Sequence, residues 1–316
     1  KIAYTEKIAG IDEVGRGSLA GPVVASAVIL PKDHGIRGLN DSKKLSPKKR
    51  LALYNEIKVK SISIGMGLED IHSIDKVNIR NATFIAMEKA IKNLDIKPDR
   101  LLIDGADVPT LNIPCEGIVK GDTKIEAIMA ASIIAKVVRD KIMINYSVIY
   151  PEYGFEKHKG YGTKLHMEAL RKNMATPIHR KSFNPVSKYL PTFKWLRKNS
   201  KLRWMAKKLS AMYLLEDGYS IESIDVMLDS NRLVDIVGLK NQITTFVFVN
   251  LVNDSSYNEN LYSVITNDDS IKNNIGKYFA SNTINIAQAW KVDIIEVDLY
   301  SKSSRFEYFE EILSSN

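Results

Sequence analysis

The sequence has little cysteine and no long apolar run. Its 316 residues include one cysteine, Cys115, which excludes an internal disulfide and is typical of a reducing cytoplasm. No stretch reaches the roughly 20 apolar residues of a membrane-spanning helix. The stretch Lys1–Glu6 lacks the apolar core of a secretory signal, and it also lacks methionine, so we expect a trimmed natural terminus. These absences predict a cytoplasmic protein without membrane attachment.

Acidic residues are outnumbered by basic ones. Lysine and arginine total 45 against 37 aspartates and glutamates, which gives a net charge of +8. A basic protein suits a polyanionic partner such as nucleic acid, although many basic proteins bind none. The length exceeds that of one typical domain, so two domains are the starting expectation.

Two neighbouring acids end the first apolar run of the chain. Asp12 and Glu13 follow this run and precede the turn Gly15-Arg16-Gly17, after which a second apolar run covers residues 23–30. Alternation and β-branched residues predict two strands separated by glycines. Paired acids in a buried strand repel each other, and a hard divalent cation bound through their oxygens would remove that cost. The alternative is an exposed Asp-Glu pair at the tip of a hairpin.

Two further acids follow predicted strands. Asp104 ends the apolar run from Leu101, and Asp122 stands at the end of a run from Ile118. Because open α/β sheets place their chemistry at the carboxyl ends of strands, we expect Asp12, Asp104 and Asp122 to converge.

Apolar spacing predicts helices over about 47–57, 73–94 and 123–145 and a strand over 61–67. Ser46 is the predicted N-cap of the first helix, and the small residues at 130–132 of the third helix suit close packing on the sheet.

Two basic segments follow. Glycine, basic and aromatic residues mix between Tyr150 and Thr163, a composition suited to a nucleic-acid backbone and also found in ordinary surface loops. The stretch Lys194–Lys208 is interrupted by Trp195 and Trp204, and we place the domain boundary near 195–202.

Beyond this boundary the pattern predicts a helix over 202–217 that is capped by Gly218. It also predicts strands over 220–227, 233–239 and 245–251, a helix over 269–281 and a last strand over 292–299.

Seven blocks in one order carry a resemblance to a known family. Residues 7 to about 190 closely resemble ribonuclease HII. The matching blocks are GIDEVGRG at 10–17, DSKKL at 41–45, IDG at 103–105, GD at 121–122, AASIIAKVVRD at 130–140, HKGYGT at 158–163 and HRKSF at 179–183. The resemblance implies an α/β ribonuclease H-like domain that cleaves RNA, including single ribonucleotides, in duplex with DNA. It also implies a cut on the 5′ side of the ribonucleotide that leaves a 3′-OH and a 5′-phosphate.

The resemblance implies four active-site carboxylates, Asp12, Glu13, Asp104 and Asp122, holding Mg2+ or Mn2+. Four acids can bind two divalent ions, one for the attacking water and one for the leaving oxygen. Asp12 and Glu13 point to opposite faces of a regular strand, so the strand must end or twist for both to serve one site. Asp140, in contrast, is predicted to be ion-paired rather than catalytic.

Substrate contacts are implied in the same way. The turn Gly15-Arg16-Gly17 matches the junction-reading motif of the family, and Tyr161 matches the tyrosine that packs at the RNA–DNA junction. A lone Gly-x-Gly can also open a dinucleotide site, but the longer glycine fingerprint is missing. The side chains expected at phosphates, each of which could alternatively be a solvated charge, are Lys43, Lys44, His158, Lys159 and Arg180.

The C-terminal part looks like the YraN family, which has a restriction-endonuclease-like α/β fold. The blocks are LLEDGY at 214–219, LVDIV at 233–237, FVFV at 246–249, IGKY at 275–278 and VDII at 292–295. Among the positions of the nuclease motif, only Asp235 keeps an acid, because Lys207, Leu233, Asn250 and Val252 occupy the others. This domain is therefore predicted to be catalytically inactive.

The preferred interpretation is a ribonuclease HII-like catalytic domain over 1–195 followed by a smaller degenerate endonuclease-like domain over 202–316. Its expected partners are an RNA–DNA hybrid and duplex DNA that contains ribonucleotides, and a protein bound by the C-terminal domain is a further candidate. The alternative is a nucleic-acid-binding or partner-binding protein with an unused site. A third option, a ribonuclease H-like nuclease that acts on DNA junctions, fits the Gly-Arg-Gly turn and Tyr161 less well.

Overall fold

The computed structural model describes residues 6–228, 233–253, 258–267, 269–281, 289–300 and 304–315, so all but the last residue of the stretch Lys1–Glu6 lies outside the described residues. The chain forms two compact units. The first comprises Lys1–Ile144 with Tyr153–Leu190, and the second comprises Asn145–Glu152 with Pro191–Asn316. The second unit thus starts a few residues before the predicted boundary and also includes a short segment far upstream of it. None of the described helices is long and apolar enough to cross a membrane.

The first unit is a five-stranded sheet with helices on both faces. Its strand order is β3-β2-β1-β4-β5, with β1, β2 and β3 antiparallel and β1, β4 and β5 parallel. The elements are β1 (Ile8–Val14), β2 (Val23–Ile29), α1 (Pro47–Lys60), β3 (Ser63–Glu69), α2 (Ile71–Lys92), β4 (Arg100–Asp104), β5 (Cys115–Ile118), α3 (Glu126–Ile149), α4 (Phe155–His158) and α5 (Lys164–Asn173).

Alternation along β2 divides the core of this unit. Ala25 and Ala27 belong to the cluster formed with α2, whereas Val28 belongs to the cluster formed with α1 and α3. The N-cap prediction is confirmed, because the Ser46 side chain accepts a hydrogen bond from the Lys49 backbone N–H at the start of α1.

The small residues of α3 allow close packing on the sheet, as predicted. Ala130 and Ala131 are fully buried. At Gly10 of β1 a side chain would collide with the α3 backbone at Ala127 and Ile128. Glycine therefore lets the start of α3 lie directly over β1, two residues from Asp12.

The second unit is built on another five-stranded sheet, of order β10-β9-β8-β7-β6. Neighbouring strands are antiparallel except β8 and β9, which are parallel. The elements are α6 (Phe193–Lys198), α7 (Leu202–Glu216), β6 (Ser220–Met227), β7 (Leu233–Lys240), β8 (Ile243–Leu251), α8 (Leu261–Thr266), α9 (Asp269–Ser281), β9 (Trp290–Asp298) and β10 (Arg305–Ser314).

The core of this unit follows the apolar pattern of its central strands. Phe246 and Phe248 of β8 pack against Ile275 and Phe279 of α9. The prediction that the last strand is the one near 292–299 is wrong, because β10 follows it. β10 is an edge strand with mostly exposed or half-buried residues and a register shift after Phe309, so its sequence has little apolar alternation.

Candidate active site

Three aspartates of the first unit converge as predicted. Carboxylate oxygens of Asp12, Asp104 and Asp122 lie within 4.8 Å of one another. Asp12 is in β1, and Asp104 ends β4, the parallel neighbour of β1. Two of the three aspartates therefore lie on neighbouring parallel strands.

Asp122 reaches the cluster by a route that the sequence did not predict. The strand β5 ends at Ile118, and Asp122 lies in a single 3-10 turn over Gly121–Thr123. This turn is tied to the cluster, because the backbone N–H groups of Gly121 and Asp122 donate to Asp104 Oδ1 at 2.7 and 3.3 Å. The expectation that a strand ends in Asp122 is thus wrong, but the carboxylate reaches the expected place.

Glu13 stands beside the three aspartates rather than among them. β1 neither ends nor breaks at Asp12, since its pairing with β2 continues through Val14. Burial raises the pKa of Glu13, and Asp104 raises it further, whereas Arg16 and Lys43 oppose the shift. The Arg16 Nη1 lies 3.8 Å from Glu13 Oε1. Glu13 is therefore within the electrostatic field of the cluster.

The cluster concentrates negative charge. Burial raises the pKa of Asp12 well above its usual value, and the neighbouring Glu13 and Asp104 add to the shift. Burial also raises the pKa of Asp122, again with help from Asp104. Burial alone would lower the pKa of Lys43, but Asp41, Asp12 and Asp122 raise it, which shows that its ammonium group lies in their field.

The donor set fits a hard divalent cation. All its atoms are carboxylate oxygens, which suit Mg2+ or Mn2+ and not the softer metals that prefer thiolate or imidazole. Desolvation and the repulsion of neighbouring carboxylates disfavour the ionised forms of Asp12 and Asp122, and a bound dication would offset both effects. The residues present therefore match the divalent-metal chemistry that the resemblance implies.

Two serines near the cluster, Ser42 and Ser132, were not predicted to belong to the site. The Ser132 side chain opposes the rise in the pKa of Asp12 by stabilising its ionised form, and Ser132 Oγ lies 2.9 Å from Ser42 Oγ. The sequence suggested only that Ser132 belongs to a small packing face. The feature of the sequence that could have indicated this role is a hydroxyl residue beside two alanines on the face of α3 that packs on the sheet.

The Gly15-Arg16-Gly17 turn is held from its interior side by Arg180. Gly15 has a φ of +102°, which favours glycine. The fully buried Arg180 guanidinium donates to Gly15 O at 2.7 Å and Arg16 O at 2.9 Å. Burial and the nearby Arg139 lower the pKa of Arg180 to about 9, so it stays charged at neutral pH. The expectation that Arg180 contacts a phosphate does not fit this placement, because backbone carbonyls occupy its donors.

A second buried arginine, Arg139, supports the same region and was missed. Its guanidinium donates to Pro22 O and Lys159 O, both at 2.9 Å, and to Ala20 O at 3.1 Å. A side chain at Gly15 would collide with it. The signal in the sequence is an arginine within the otherwise apolar run of α3, next to Asp140.

His158 is likewise an interior residue, contrary to the expected phosphate contact. Its Nδ1 accepts from the Gly160 N–H at 3.2 Å, so Nε2 is the donor to Tyr153 O at 2.8 Å. Burial lowers the pKa of His158. Both ring nitrogens are already hydrogen-bonded, so the neutral ring has no free N–H group to donate to a phosphate.

The remaining expected contacts keep their access to solvent. Lys43 and Lys44 are exposed, and Lys159 and Tyr161 are half-buried. The Tyr161 ring lies 5.7 Å from the Arg139 guanidinium carbon. Asp140 is confirmed as ion-paired, although with Lys136 at 2.7 Å and Arg50 at 3.4 Å.

The acid retained in the second unit has a different environment. Asp235 is buried, and Arg203 Nη2 donates to both of its carboxylate oxygens, at 2.9 and 3.0 Å. The Val249 N–H donates to it as well, at 2.7 Å. In the described part of this unit, no three acids, histidines or cysteines come together as the three aspartates of the first unit do.

Comparison with known proteins agrees with these observations. A sequence model of the family described as Ribonuclease HII matches residues 9–186. The chain is 55% identical over 182 residues to ribonuclease HII of Lactobacillus johnsonii, covering 58% of this chain and 72% of the relative. It is 57% identical over 176 residues to ribonuclease HII of Clostridioides difficile, covering 56% and 69%.

A solved structure shows the same fold. The structure of the PCNA–RNase HII complex from Archaeoglobus fulgidus superposes with a TM-score of 0.50 at 24% identity, over 60% of this chain and 98% of that chain. The first unit therefore has a ribonuclease H-like α/β fold, and the second is a further, β-rich domain. The chain belongs to the ribonuclease HII family and is a type 2 ribonuclease H, an endonuclease that works by hydrolysis.

Proposed function

We propose that this enzyme hydrolyses RNA in duplex with DNA, including single ribonucleotides within a DNA strand. The cut falls on the 5′ side of the ribonucleotide and leaves a 3′-OH and a 5′-phosphate. The observation that carries the proposal is the cluster of Asp12, Asp104 and Asp122, whose oxygens lie within 4.8 Å of one another beside the Gly15-Arg16-Gly17 turn. With its single cysteine, the protein fits a cytoplasmic location.

The residues that would hold the metal are Asp12, Asp104 and Asp122, with Glu13 beside them. When bound, Mg2+ or Mn2+ supplies an activated water and neutralises the charge on the leaving oxygen. The chain itself prepares the carboxylates: Asp104 Oδ1 is fixed by two backbone N–H groups, and Asp12 Oδ1 accepts from the Glu13 N–H at 2.7 Å. The carboxylates are thus oriented before any ion arrives, which reduces the cost of binding.

Recognition of the ribonucleotide is assigned to the turn and to Tyr161. A 2′-OH distinguishes RNA from DNA, and a glycine turn lets backbone groups approach a sugar closely. Gly17 has open space around its Cα, whereas Gly15 is packed against Arg139. Gly15 is therefore required because a side chain there would collide with Arg139, whereas Gly17 leaves the outer side of the turn accessible.

The expected phosphate contacts divide into two groups. Lys43, Lys44 and Lys159 are proposed to contact the substrate backbone. His158 and Arg180 are proposed as positioning residues, because both are buried and bonded to the backbone of the segments that carry Tyr161 and the turn.

The second unit is proposed to be a degenerate, restriction-endonuclease-like domain that does not cut nucleic acid. The support is the bond between Arg203 and Asp235, in which a fixed side chain neutralises the acid that a nuclease would use for metal. Full-length protein with Asp104→Asn tests this: metal-dependent cleavage that remains in this variant and is lost when Asp235→Asn is added would show that the second unit cuts nucleic acid.

The proposal is tested with a labelled DNA duplex that carries one ribonucleotide. With Mg2+ or Mn2+ we expect one product, cut 5′ of the ribonucleotide, and none in the presence of EDTA. The matched substrate is the same duplex with a deoxyribonucleotide at that position. Equal cleavage of the two duplexes would contradict the proposed specificity.

A further inference from the structure

The charge of the C-terminal part is strongly asymmetric. Residues 191–208 contain seven lysines and arginines and no acid, whereas residues 209–316 contain seven bases and sixteen acids. A domain whose remainder is acidic does not need a segment with seven cations and no acid for solubility. The segment therefore requires its own explanation.

Three of the seven cations have partners within the second unit. Arg203 pairs with Asp235, Lys207 with Asp225, and Lys208 with Glu152 at 3.2 Å and with Ile149 O at 2.5 Å. These three lie on α7 and hold the fold together. These pairs account for three of the seven cations and leave four without an explanation.

The other four form what we call the α6 surface: Lys194, Arg197, Lys198 and Lys201. The first three are exposed on the short helix α6, and Lys201 follows it. None of the four has an acidic partner among the described residues, in contrast to the paired cations of α7. Lys201 lies over the Trp204 ring, with Nζ 5.2 Å from the ring centroid.

Local helix energetics explain only part of this arrangement. Arg197 and Lys198 lie in the last turn of α6, where cations interact favourably with the helix dipole. That effect does not extend to Lys194 in the first turn, where a cation is disfavoured. The helix dipole therefore accounts for the placement of Arg197 and Lys198 and not for that of Lys194.

We propose that the α6 surface binds the phosphate backbone of duplex nucleic acid. Duplex is the occupant that the charge pattern favours, because regularly spaced phosphates match several cations on one short helix and need no sequence-specific contact. This inference assigns the second unit a binding role independent of the cleavage site.

The test uses full-length protein with Lys194→Gln, Arg197→Gln and Lys198→Gln combined. Binding to a fluorescent all-DNA duplex is measured by anisotropy over a series of KCl concentrations. Each lost phosphate contact should reduce the slope of log affinity against log salt by about 0.9, so three contacts should reduce it by up to about 2.7.

The matched control combines Lys272→Gln, Lys277→Gln and Arg305→Gln. These side chains are also exposed, lie in the second unit and have no acidic partner in its described part, and the change in net charge is the same. The control should keep the parental slope. An unchanged slope in the α6 variant, or an equal loss in the control, would overturn the proposal.

The result is separable from the cleavage proposal. An all-DNA duplex is not the proposed substrate for hydrolysis, so its binding is measured without turnover. Vesicles of phosphatidylglycerol serve as a second probe. If the α6 variant loses vesicle binding but keeps the duplex slope, the surface recognises lipid and the nucleic-acid proposal is wrong.

Discussion

The two units bury carboxylates in opposite ways. In the first unit, Asp12, Asp104 and Asp122 face one another, and none of them has a lysine or arginine at ion-pair distance among the described residues. In the second unit, Asp235 is held by Arg203, and the fully buried Asp293 is held by Lys291 at 3.0 Å. The second unit pairs these two acids with its own cations, whereas Asp12, Asp104 and Asp122 of the first unit have no such pairing among the described residues, in contrast to Asp140 of the same unit, which is paired with Lys136.

This difference separates acids that stabilise the fold from acids that suit a bound cation. A buried carboxylate without a partner is costly, so a protein keeps several of them together only where something else supplies positive charge. Asp293 is further satisfied by the Tyr308 hydroxyl at 2.5 Å and by the Glu311 N–H at 2.7 Å. Full satisfaction of this kind is expected of a residue that stabilises the fold.

The largest effect is expected from Asp104→Asn. The substitution removes one of the proposed metal ligands but also one of the mutually repelling charges, so we expect cleavage of the ribonucleotide-containing duplex to be abolished. In metal-free buffer the variant should be at least as stable as the parent in thermal unfolding. The control is Glu56→Gln, which neutralises an exposed acid paired with Lys60 and should leave cleavage unchanged. Near-parental cleavage by Asp104→Asn would contradict the assignment.

Asp235→Ala should have the opposite effect on stability. It leaves the buried Val249 N–H without its acceptor and removes the partner of the half-exposed Arg203, so the free energy of unfolding of the second unit should fall by about 1–3 kcal/mol. Trp195, Trp204 and Trp290 are the three tryptophans of the chain and all belong to the second unit, so tryptophan fluorescence in urea reports on this unit.

The control for that measurement is Asp217→Ala. Asp217 forms an exposed pair with Lys240, and exposed pairs contribute little. Equal effects of the two substitutions would show that the Arg203–Asp235 pair has no special role in the fold.

A smaller effect is expected from Tyr161→Ala. Loss of a stacking contact worth about 1–3 kcal/mol should lower kcat/KM at a single ribonucleotide by roughly 5- to 150-fold. Tyr161→Phe keeps the ring and should retain most of the activity. If the alanine variant cleaves like the parent, Tyr161 has no part in recognition.

The smallest effect concerns the histidines of the first unit. Burial lowers the pKa of His166 to about 4, and His166 Nε2 lies 2.9 Å from His179 Nε2. Because the unfolded histidine has a pKa near 6.5, the unfolded chain takes up a proton first as the pH falls, and stability is lost progressively between about pH 6.5 and 4. This term should cost about 1 kcal/mol by about pH 5.5.

His166→Gln isolates that term from the carboxylates, whose raised pKa values act in the opposite direction. Glutamine can still donate to Tyr161 O and accept from His179, but it does not titrate. Between about pH 7 and 5.5, the variant should gain about 1 kcal/mol relative to the parent in urea unfolding. A parallel pH dependence of the two proteins would exclude His166 as the sensitive group.

The site could be predicted where local sequence carries the information. Asp12 and Asp104 follow apolar runs, and their place at neighbouring strands follows from the α/β order. Asp122 was expected at a strand end but lies in a 3-10 turn, because hydrogen bonds to Asp104 shape the chain there. The edge strand β10 was missed because an exposed edge needs little apolar alternation.

By itself, the sequence determined the family, the acids of the candidate site and most helices and strands, because these depend on motifs and on apolar spacing along short segments. Only the tertiary structure decided which basic side chains face solvent and which lie inside. Arg139 and Arg180 are fully buried because they bond to carbonyls of Pro22 and Gly15, which lie 117 and 165 residues away in the chain. Charge alone cannot predict such burial, since a guanidinium is stable in the interior wherever distant backbone oxygens satisfy its donors.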